Sequence, residues 1–309
     1  MNRLGGWMCM LAAASTMAVG QAGGRLSGPV SGVVHTADVD LAYEVYGAAG
    51  AATPVIAVNG GPGLSHKYML QNDVWTRRIA AGRQVVFYDQ RGTGKSQRVA
   101  DGAAQTMAAQ VGDLDAVRAQ LGFEKVDLAG DSYGGLLAMA YVAAHPEHVR
   151  RLILSDSAPP AWKDMVHLLP QVFPDIEEQD AEIAKKQSDP DKAAQEQLIN
   201  HFRMIFYSED LMHAYLDGIG DLGSTPKVGD EVFKAIADID LTAELPKIKA
   251  PTLVITGRYD MNVAPLTAWR MYKAIPGARV EIFAKSGHLP YYEEPEKYAK
   301  VVDAFLDGR

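Results

Sequence analysis

Three residues of this chain have the chemistry for acyl transfer: Ser132, Asp260 and His288. Ser132 lies in Gly130-Asp131-Ser132-Tyr133-Gly134, a G-x-S-x-G run between an apolar stretch, Val126 to Ala129, and a small-residue helical stretch, Leu136 to Ala144. A serine hydroxyl is a weak nucleophile until a base takes its proton, and the base needs a carboxylate to hold it in one tautomer. Asp260 and His288 each follow an apolar run that reads as a strand, and the order along the chain is Ser, Asp, His. Glycines two positions to either side of Ser132 let strand and helix approach closely at a sharp turn, which lifts the serine oxygen clear of the sheet. At the start of the following helix the Tyr133 N–H has no partner within the helix and can face a developing oxyanion.

The surrounding stretches must bring these groups together. Gly32 to Tyr46 alternates polar and apolar residues around Asp38-Val39-Asp40, the pattern of an antiparallel hairpin at a sheet edge. Short apolar runs at Pro54–Val58, Gln84–Tyr88, Val126–Ala129, Arg151–Ser155, Pro251–Thr256 and Arg279–Ala284 alternate with helical stretches, among them Tyr68–Ala80, Thr106–Leu121, Ala264–Ile275 and Glu294–Leu306. This alternation predicts an α/β chain with a mostly parallel central sheet and helices on both faces. Between Pro159 and Pro246 no strand-like run occurs. Helical segments rich in carboxylates, Met and aromatic residues, such as Trp162, Met165, Phe202, Phe206 and Tyr215, read as a cap inserted over the ligand-binding edge. The loop Asn59-Gly60-Gly61-Pro62-Gly63 follows a central strand upstream of the serine, so it is a candidate second half of the oxyanion site.

Composition narrows the function classes. Lys+Arg 30 against Asp+Glu 38 gives a net charge of −8 and an isoelectric point near 5.5, which offers no basic face to nucleic acid or anionic lipid. Residues 1–22 read as a secretory signal: Arg3, an apolar stretch from Leu4 to Val19, then small residues up to a cleavage point near Gly20 or Ala22. An uncleaved anchor is the competing reading, disfavoured because the run is shorter than the ~20 residues a span needs. The only cysteine, Cys9, lies in this segment, so an exported mature chain, periplasmic or extracellular, carries no thiol or disulfide. The expected organisation is signal 1–22, a first core part over 30–158, the cap over 159–246 and a second core part over 247–309.

Gly92-Thr93-Gly94-Lys95-Ser96 looks like the end of a phosphate-binding loop, but the first glycine of that motif falls at Asp89 and nucleotide binding is not expected. Asp89 and Arg91 are expected to pin the loops there through an ion pair. No His or Cys cluster has metal-ligand spacing, so neither a metal nor another cofactor is required. His66, just after the glycine loop, is a candidate to line the site.

Together, N-G-G-P-G at 59–63, D-Q-R-G-T-G-K-S at 89–96, G-D-S-Y-G-G at 130–135, G-R-Y-D at 257–260 and S-G-H at 286–288 resemble the motifs of the proline iminopeptidase (prolyl aminopeptidase) family of α/β-hydrolases. The likeness runs from about residue 35 to the C-terminus and is weakest in the cap. It implies the α/β-hydrolase fold, Ser132 as nucleophile, His288 as general base and acid, Asp260 as its orienting carboxylate, and an oxyanion hole made of the Gly61 and Tyr133 N–H groups. The implied reaction releases an N-terminal residue, proline or another small apolar one, from a short peptide or amino-acid amide through an acyl-enzyme. Two positions depart from the family. Asn59 stands where its glycine loop begins with His, a change expected to alter loop packing, and Met261 stands beside Asp260 where some members place a Glu that binds the substrate's α-ammonium. The cap offers Asp180, Asp210 and Asp230 in its stead, and Glu177, Glu178, Glu209 and Glu231 as candidates for substrate binding. Two alternatives stay open: an esterase, amidase or lactonase with no need of a free amine, and a non-catalytic ligand-binding protein on the same fold.

Overall fold

The computed structural model describes residues 28–100, 104–203, 205–220 and 222–309. The expected signal segment 1–22, with Cys9, lies outside the described residues. In chain order the strands are β1 (Val30–His35), β2 (Asp40–Tyr46), β3 (Val55–Val58), β4 (Val85–Tyr88), β5 (Val126–Asp131), β6 (Val149–Ser155), β7 (Thr252–Gly257) and β8 (Arg279–Phe283). They form one eight-stranded sheet in the order β1-β2-β4-β3-β5-β6-β7-β8. β1, β2 and β4 pair antiparallel, and every neighbouring pair from β4 to β8 is parallel. Parallel strands share one carboxyl edge, so the loops that follow β3, β5, β6, β7 and β8 meet there.

Helices cover both faces of the central strands, and β3, β4 and β7 are buried on both for that reason. α1 (Met107–Gln120) and α2 (Tyr133–Ala144) flank β5; between β6 and β7 come α3 (Leu169–Val172), α4 (Ile176–Lys186), α5 (Pro190–Arg203), α6 (Glu209–Ile219) and α7 (Pro226–Ile236); α8 (Pro265–Ala274), α9 (Pro290–Glu293) and α10 (Pro295–Leu306) complete the chain. Every residue of β3, β4, β5 and β7 is buried. Ile56, Val58, Val86, Leu128 and Leu154 share one core with Leu114, Leu136 and Met271. The alternate residues Val55, Ala57, Phe87, Ile153 and Ile255 join Trp75, Tyr298, Val302 and Phe305 in the other. Helix starts follow local chemistry: the Thr106 hydroxyl accepts the Ala109 N–H (3.2 Å) and caps α1.

Among its described residues the stretch from β6 to β7 holds five α-helices and no strand beyond an isolated bridge of Ala161 with Asp240. Its helices bury one stripe each, Met212, Tyr215 and Ile219 on α6 and Val228, Val232 and Ile236 on α7, the i, i+3/i+4 spacing of an amphipathic helix. The helix expected over Tyr68–Ala80 is broken instead into short 3₁₀ and π turns over His66–Leu70, Val74–Arg78 and Ile79–Ala81. Asn72 explains the break. Its side-chain oxygen accepts the Val74 N–H (3.1 Å) and its amide donates to the Tyr291 carbonyl (2.8 Å), a local alternative to helical bonding. Among the described residues no helix is long and apolar enough to cross a membrane.

Candidate active site

Ser132 has φ 52° and ψ −120°, a left-handed conformation that a non-glycine residue keeps only under strain. The packing around it explains the flanking glycines. A Cβ on Gly134 would lie 2.1 Å from the Val58 carbonyl oxygen, and one on Gly130 2.4 Å from the Gly134 oxygen. Backbone bonds hold the turn: the Ser132 N–H donates to Ser155 O (3.0 Å), and the Ser132 carbonyl accepts from Gly135 and Ala158. The glycine loop is clamped from inside by buried Asn59, which donates to the carbonyls of Gly60 (3.0 Å) and Leu64 (3.1 Å), while Gln90 donates to the Asn59 carbonyl (2.8 Å). Among the described residues neither the Gly61 nor the Tyr133 N–H donates to a loop or turn carbonyl, and both residues border a cavity with Ser132.

Asp260 follows β7 and His288 follows β8, so the shared carboxyl edge brings them together. His288 Nδ1 lies 2.7 Å from Asp260 Oδ2, with both side chains buried. The other Asp260 oxygen accepts the N–H groups of Asn262 (2.9 Å) and Val263 (2.8 Å), which fixes the carboxylate in rotation. With its Nδ1–H given to Asp260, His288 keeps a lone pair on Nε2, the tautomer a general base needs. In this structure Nε2 faces the side-chain amide nitrogen of Asn262 (3.2 Å), and Ser132 makes no side-chain hydrogen bond to it. Burial pushes the His288 pKa down, but the Asp260 charge and hydrogen bond, with Asp131 behind them, outweigh it and hold the imidazole above its ordinary value. The loop that carries His288 is tied to the helical insert. Its N–H donates to Ile205 O (2.7 Å), and Glu293 receives the N–H groups of Gly287 (2.6 Å), Tyr207 (2.8 Å) and Ser208 (2.9 Å).

Two further buried carboxylates stand beside these groups. Asp131 Oδ2 accepts the Tyr68 hydroxyl (2.6 Å), which itself accepts the Gly60 N–H (2.6 Å), and Asp131 Oδ1 has no partner among the described residues. Burial pushes the Asp131 pKa up to about 6 against the opposing pull of His288 and the Tyr68 hydrogen bond. Asp156, at φ 44°, places an oxygen within 4.8 Å of an Asp260 oxygen and a His288 ring nitrogen. Sequence reasoning gave neither a role. Asp131 occupies a variable position of G-x-S-x-G, and the only signal for Asp156 is its place at a strand end.

A cavity of about 530 Å³ opens beside Ser132 and His288, and one of about 300 Å³ shares Gly61, Ser132 and Asn262 with it. The insert builds one wall, apolar through Leu169, Phe202 and Phe233 and acidic through Asp180 and Asp230. Glu177, Glu178, Glu209 and Glu231 line neither cavity; the first three are exposed and Glu231 is half-buried. On α4 and α7 helix phase is the reason. Buried Ile176 and cavity-lining Asp180 share one face of α4, as Asp230 and Phe233 do on α7, and residues one or two positions away point elsewhere. Asp180 is engaged by His201 (3.0 Å) and Asn200 (3.2 Å). Asp230 makes no side-chain hydrogen bond or ion pair among the described residues.

His66 lies outside the site, 2.8 Å from Asp89 and 3.5 Å from Glu44, bordering a pocket on the β1–β2 side. Arg91 does not pair with Asp89. Its planar fork engages Asp113 on α1 through two contacts of 2.7 Å, the bidentate geometry guanidinium favours. Asp89 is occupied instead by the Ser65 hydroxyl (2.7 Å), His66 Nδ1 (2.8 Å) and the Lys95 N–H (2.7 Å). The phosphate-loop likeness ends there, since the Lys95 amide already faces a carboxylate.

A model of the alpha/beta hydrolase fold matches residues 53–295. Among curated relatives, the proline iminopeptidase of Lactobacillus delbrueckii subsp. bulgaricus is 33% identical over 282 residues, which covers 85% of this chain and 92% of that protein. Among solved structures, the proline iminopeptidase of Mycobacterium smegmatis superposes with a TM-score of 0.70 at 25% identity, covering 90% of this chain and 98% of that one. An esterase from Exiguobacterium antarcticum superposes with a TM-score of 0.69 at 26% identity, covering 89% and 98%.

Proposed function

Because the chain belongs to the proline iminopeptidase family of α/β-hydrolases, we propose that it removes a free N-terminal residue, proline or another small apolar one, from short peptides or amino-acid amides. Ser132 is the nucleophile, His288 the base and then the acid, Asp260 the orienting carboxylate, and the Gly61 and Tyr133 N–H groups the oxyanion hole. The observation that carries this reading is the 2.7 Å contact of His288 Nδ1 with Asp260 beside a cavity that both Ser132 and His288 line.

Ser132 Oγ attacks the substrate carbonyl carbon and its proton passes to His288 Nε2. In the reactive arrangement the Asn262 amide, 3.2 Å from Nε2, yields that lone pair to the serine. The oxyanion meets the two backbone amides, the tetrahedral species collapses, and the leaving amine departs with the proton from His288. Water, deprotonated by the same imidazole, then cleaves the acyl-enzyme. The best-supported partner for the substrate's α-ammonium is Asp230, which lines the cavity and pairs with no other charge among the described residues, with Asp180 adding negative potential across it.

A second reading, hydrolysis of esters or lactones without a free amine, is favoured by the likeness to the Exiguobacterium esterase. The deciding experiment compares kcat/KM for prolyl-, alanyl- and N-acetyl-prolyl-arylamides with an acetate ester of the same leaving group. The aminopeptidase reading expects the free-amine substrates to lead by about 100-fold, ~2.7 kcal/mol of transition-state binding. Indifference to acetylation, or a lead for the ester, would make the protein a general esterase or amidase. Failure of a fluorophosphonate to label Ser132 would point to a binding protein.

A further inference from the structure

His288 has more buried carboxylates around it than one imidazole needs. Asp156 follows Ser155 at the carboxyl end of β6, the strand between β5 and β7. It is 1% exposed and sits at φ 44°, the left-handed region that Asp enters more readily than most residues. Its surroundings are specific. The Asp156 N–H donates to Ile255 O (2.9 Å) and its Oδ1 accepts the Gly257 N–H (2.8 Å), so the residue is stitched to the end of β7 just before Asp260. Its Oδ2 lies 3.1 Å from the Ser155 hydroxyl. An Asp156 oxygen, an Asp260 oxygen and a His288 ring nitrogen thus all lie within 4.8 Å of one another.

We propose that Asp156 is a second orienting carboxylate for His288, held in reserve behind Asp260. The idea rests on the reading of Ser132, His288 and Asp260 as a catalytic set and adds a positioning residue to it. Two carboxylates this close in a buried volume cannot both carry charge cheaply, so the pair holds one proton. The count of donors decides where it sits. Asp260 receives the Asn262 and Val263 N–H groups and His288 Nδ1, whereas Asp156 receives one N–H and one hydroxyl. The charge goes to Asp260 and the proton to Asp156. Burial, then the Asp260 charge, pushes the Asp156 carboxyl well above the ordinary range, consistent with that count. The other titratable groups that face it are Asp131 at the end of β5, His288 after β8 and Tyr298 on α10, and of these only His288 becomes a cation in turnover. If Asp260 loses its charge, Asp156 can release its proton and serve as the counter-charge.

The test compares Ser132→Ala, Asp260→Asn, Asp156→Asn and the Asp156→Asn/Asp260→Asn double variant in kcat/KM across pH, with melting temperature as the check on folding. Asn at 260 keeps an oxygen for the Asn262 and Val263 amides. Without a reserve, replacing the orienting Asp by Asn costs about 10⁴-fold. With one, Asp260→Asn loses about 100-fold, Asp156→Asn a few-fold, and the double variant about 10⁴-fold. The kcat/KM of Asp260→Asn should also keep climbing at alkaline pH beyond where the parent levels off, as Asp156 releases its proton.

A charge measurement asks the same question without turnover. In capillary electrophoresis near neutral pH, Asp156→Asn should migrate with the parent because it replaces a neutral acid. Asp307→Asn should shift by one full charge, since Arg83 and Arg309 hold the Asp307 carboxyl below its ordinary value. A full-charge shift for Asp156→Asn overturns the proposal, as does an Asp260→Asn variant that melts normally and is as inactive as the double. Near-parental turnover in Ser132→Ala would remove the catalytic reading beneath it instead.

Discussion

Asp131→Asn separates the cost of a buried charge from the shape of the side chain. Asp131 is fully buried; one oxygen takes the Tyr68 hydroxyl and the other has no partner among the described residues. Burial raises its pKa from 3.8 to about 6. Between those values the folded chain holds a proton that the unfolded chain has released, so this contribution to stability is complete below the unfolded value and is lost as pH rises through the folded one. A shift of about two units is worth about 3 kcal/mol, of which about 2 kcal/mol is lost between about pH 4.5 and about pH 8. Asn cannot ionise, yet it keeps an acceptor for Tyr68. Its amide group lacks a partner, which offsets the whole stability curve but not its slope. Urea unfolding of parent and variant in parallel across this pH range should show the variant gaining about 2 kcal/mol relative to the parent. A difference that is flat in pH, or that favours the parent as pH rises, would refute the reasoning. The same change removes a negative charge that raises His288, so the acid limb of kcat/KM should move to lower pH.

Three other substitutions probe separate parts of the site. Asp230→Asn should raise KM for free-amine substrates about tenfold, ~1.4 kcal/mol, with kcat nearly kept and N-acetyl substrates unaffected; an equal effect on both substrate classes would remove Asp230 from amine binding. Asn262→Ala removes a donor from the His288 lone pair, which favours the neutral ring, so the acid limb of kcat/KM should move up; movement down would mean that the Asn262 carbonyl faces the ring. Gly134→Ala forces a methyl onto the Val58 carbonyl at 2.1 Å and should cost about 2–3 kcal/mol, read as a lower melting temperature; an unchanged melting temperature would show that β3 can move aside.

What the sequence made legible was whatever local chemistry decides. The apolar runs became β3 to β8 within a residue or two, because strands covered on both faces, such as β3 and β4, are apolar throughout, and the others keep an apolar stretch against the core. Ser132, Asp260 and His288 could be placed because each follows such a run, and parallel pairing carries strand ends to one edge. Long-range decisions were not legible. The break between His66 and Ala81 depends on the Tyr291 carbonyl, 219 residues from Asn72. The choice of Asp113 over Asp89 by Arg91 depends on how α1 packs. Picking Asp180 and Asp230 from a field of cap acids needs the rotation of α4 and α7 about their axes, and charge alone carries no phase. Asp156 has no motif at all; only the folded chain brings it to His288.

The most direct test is to locate the acyl group. A prolyl ester with a good leaving group, mixed with the enzyme and acid-quenched during turnover, should leave a prolyl adduct on the peptide that contains Ser132. The adduct should vanish in Ser132→Ala, with kcat reduced by about 10⁴- to 10⁶-fold. An adduct on another residue, or turnover that persists in Ser132→Ala, would contradict the account.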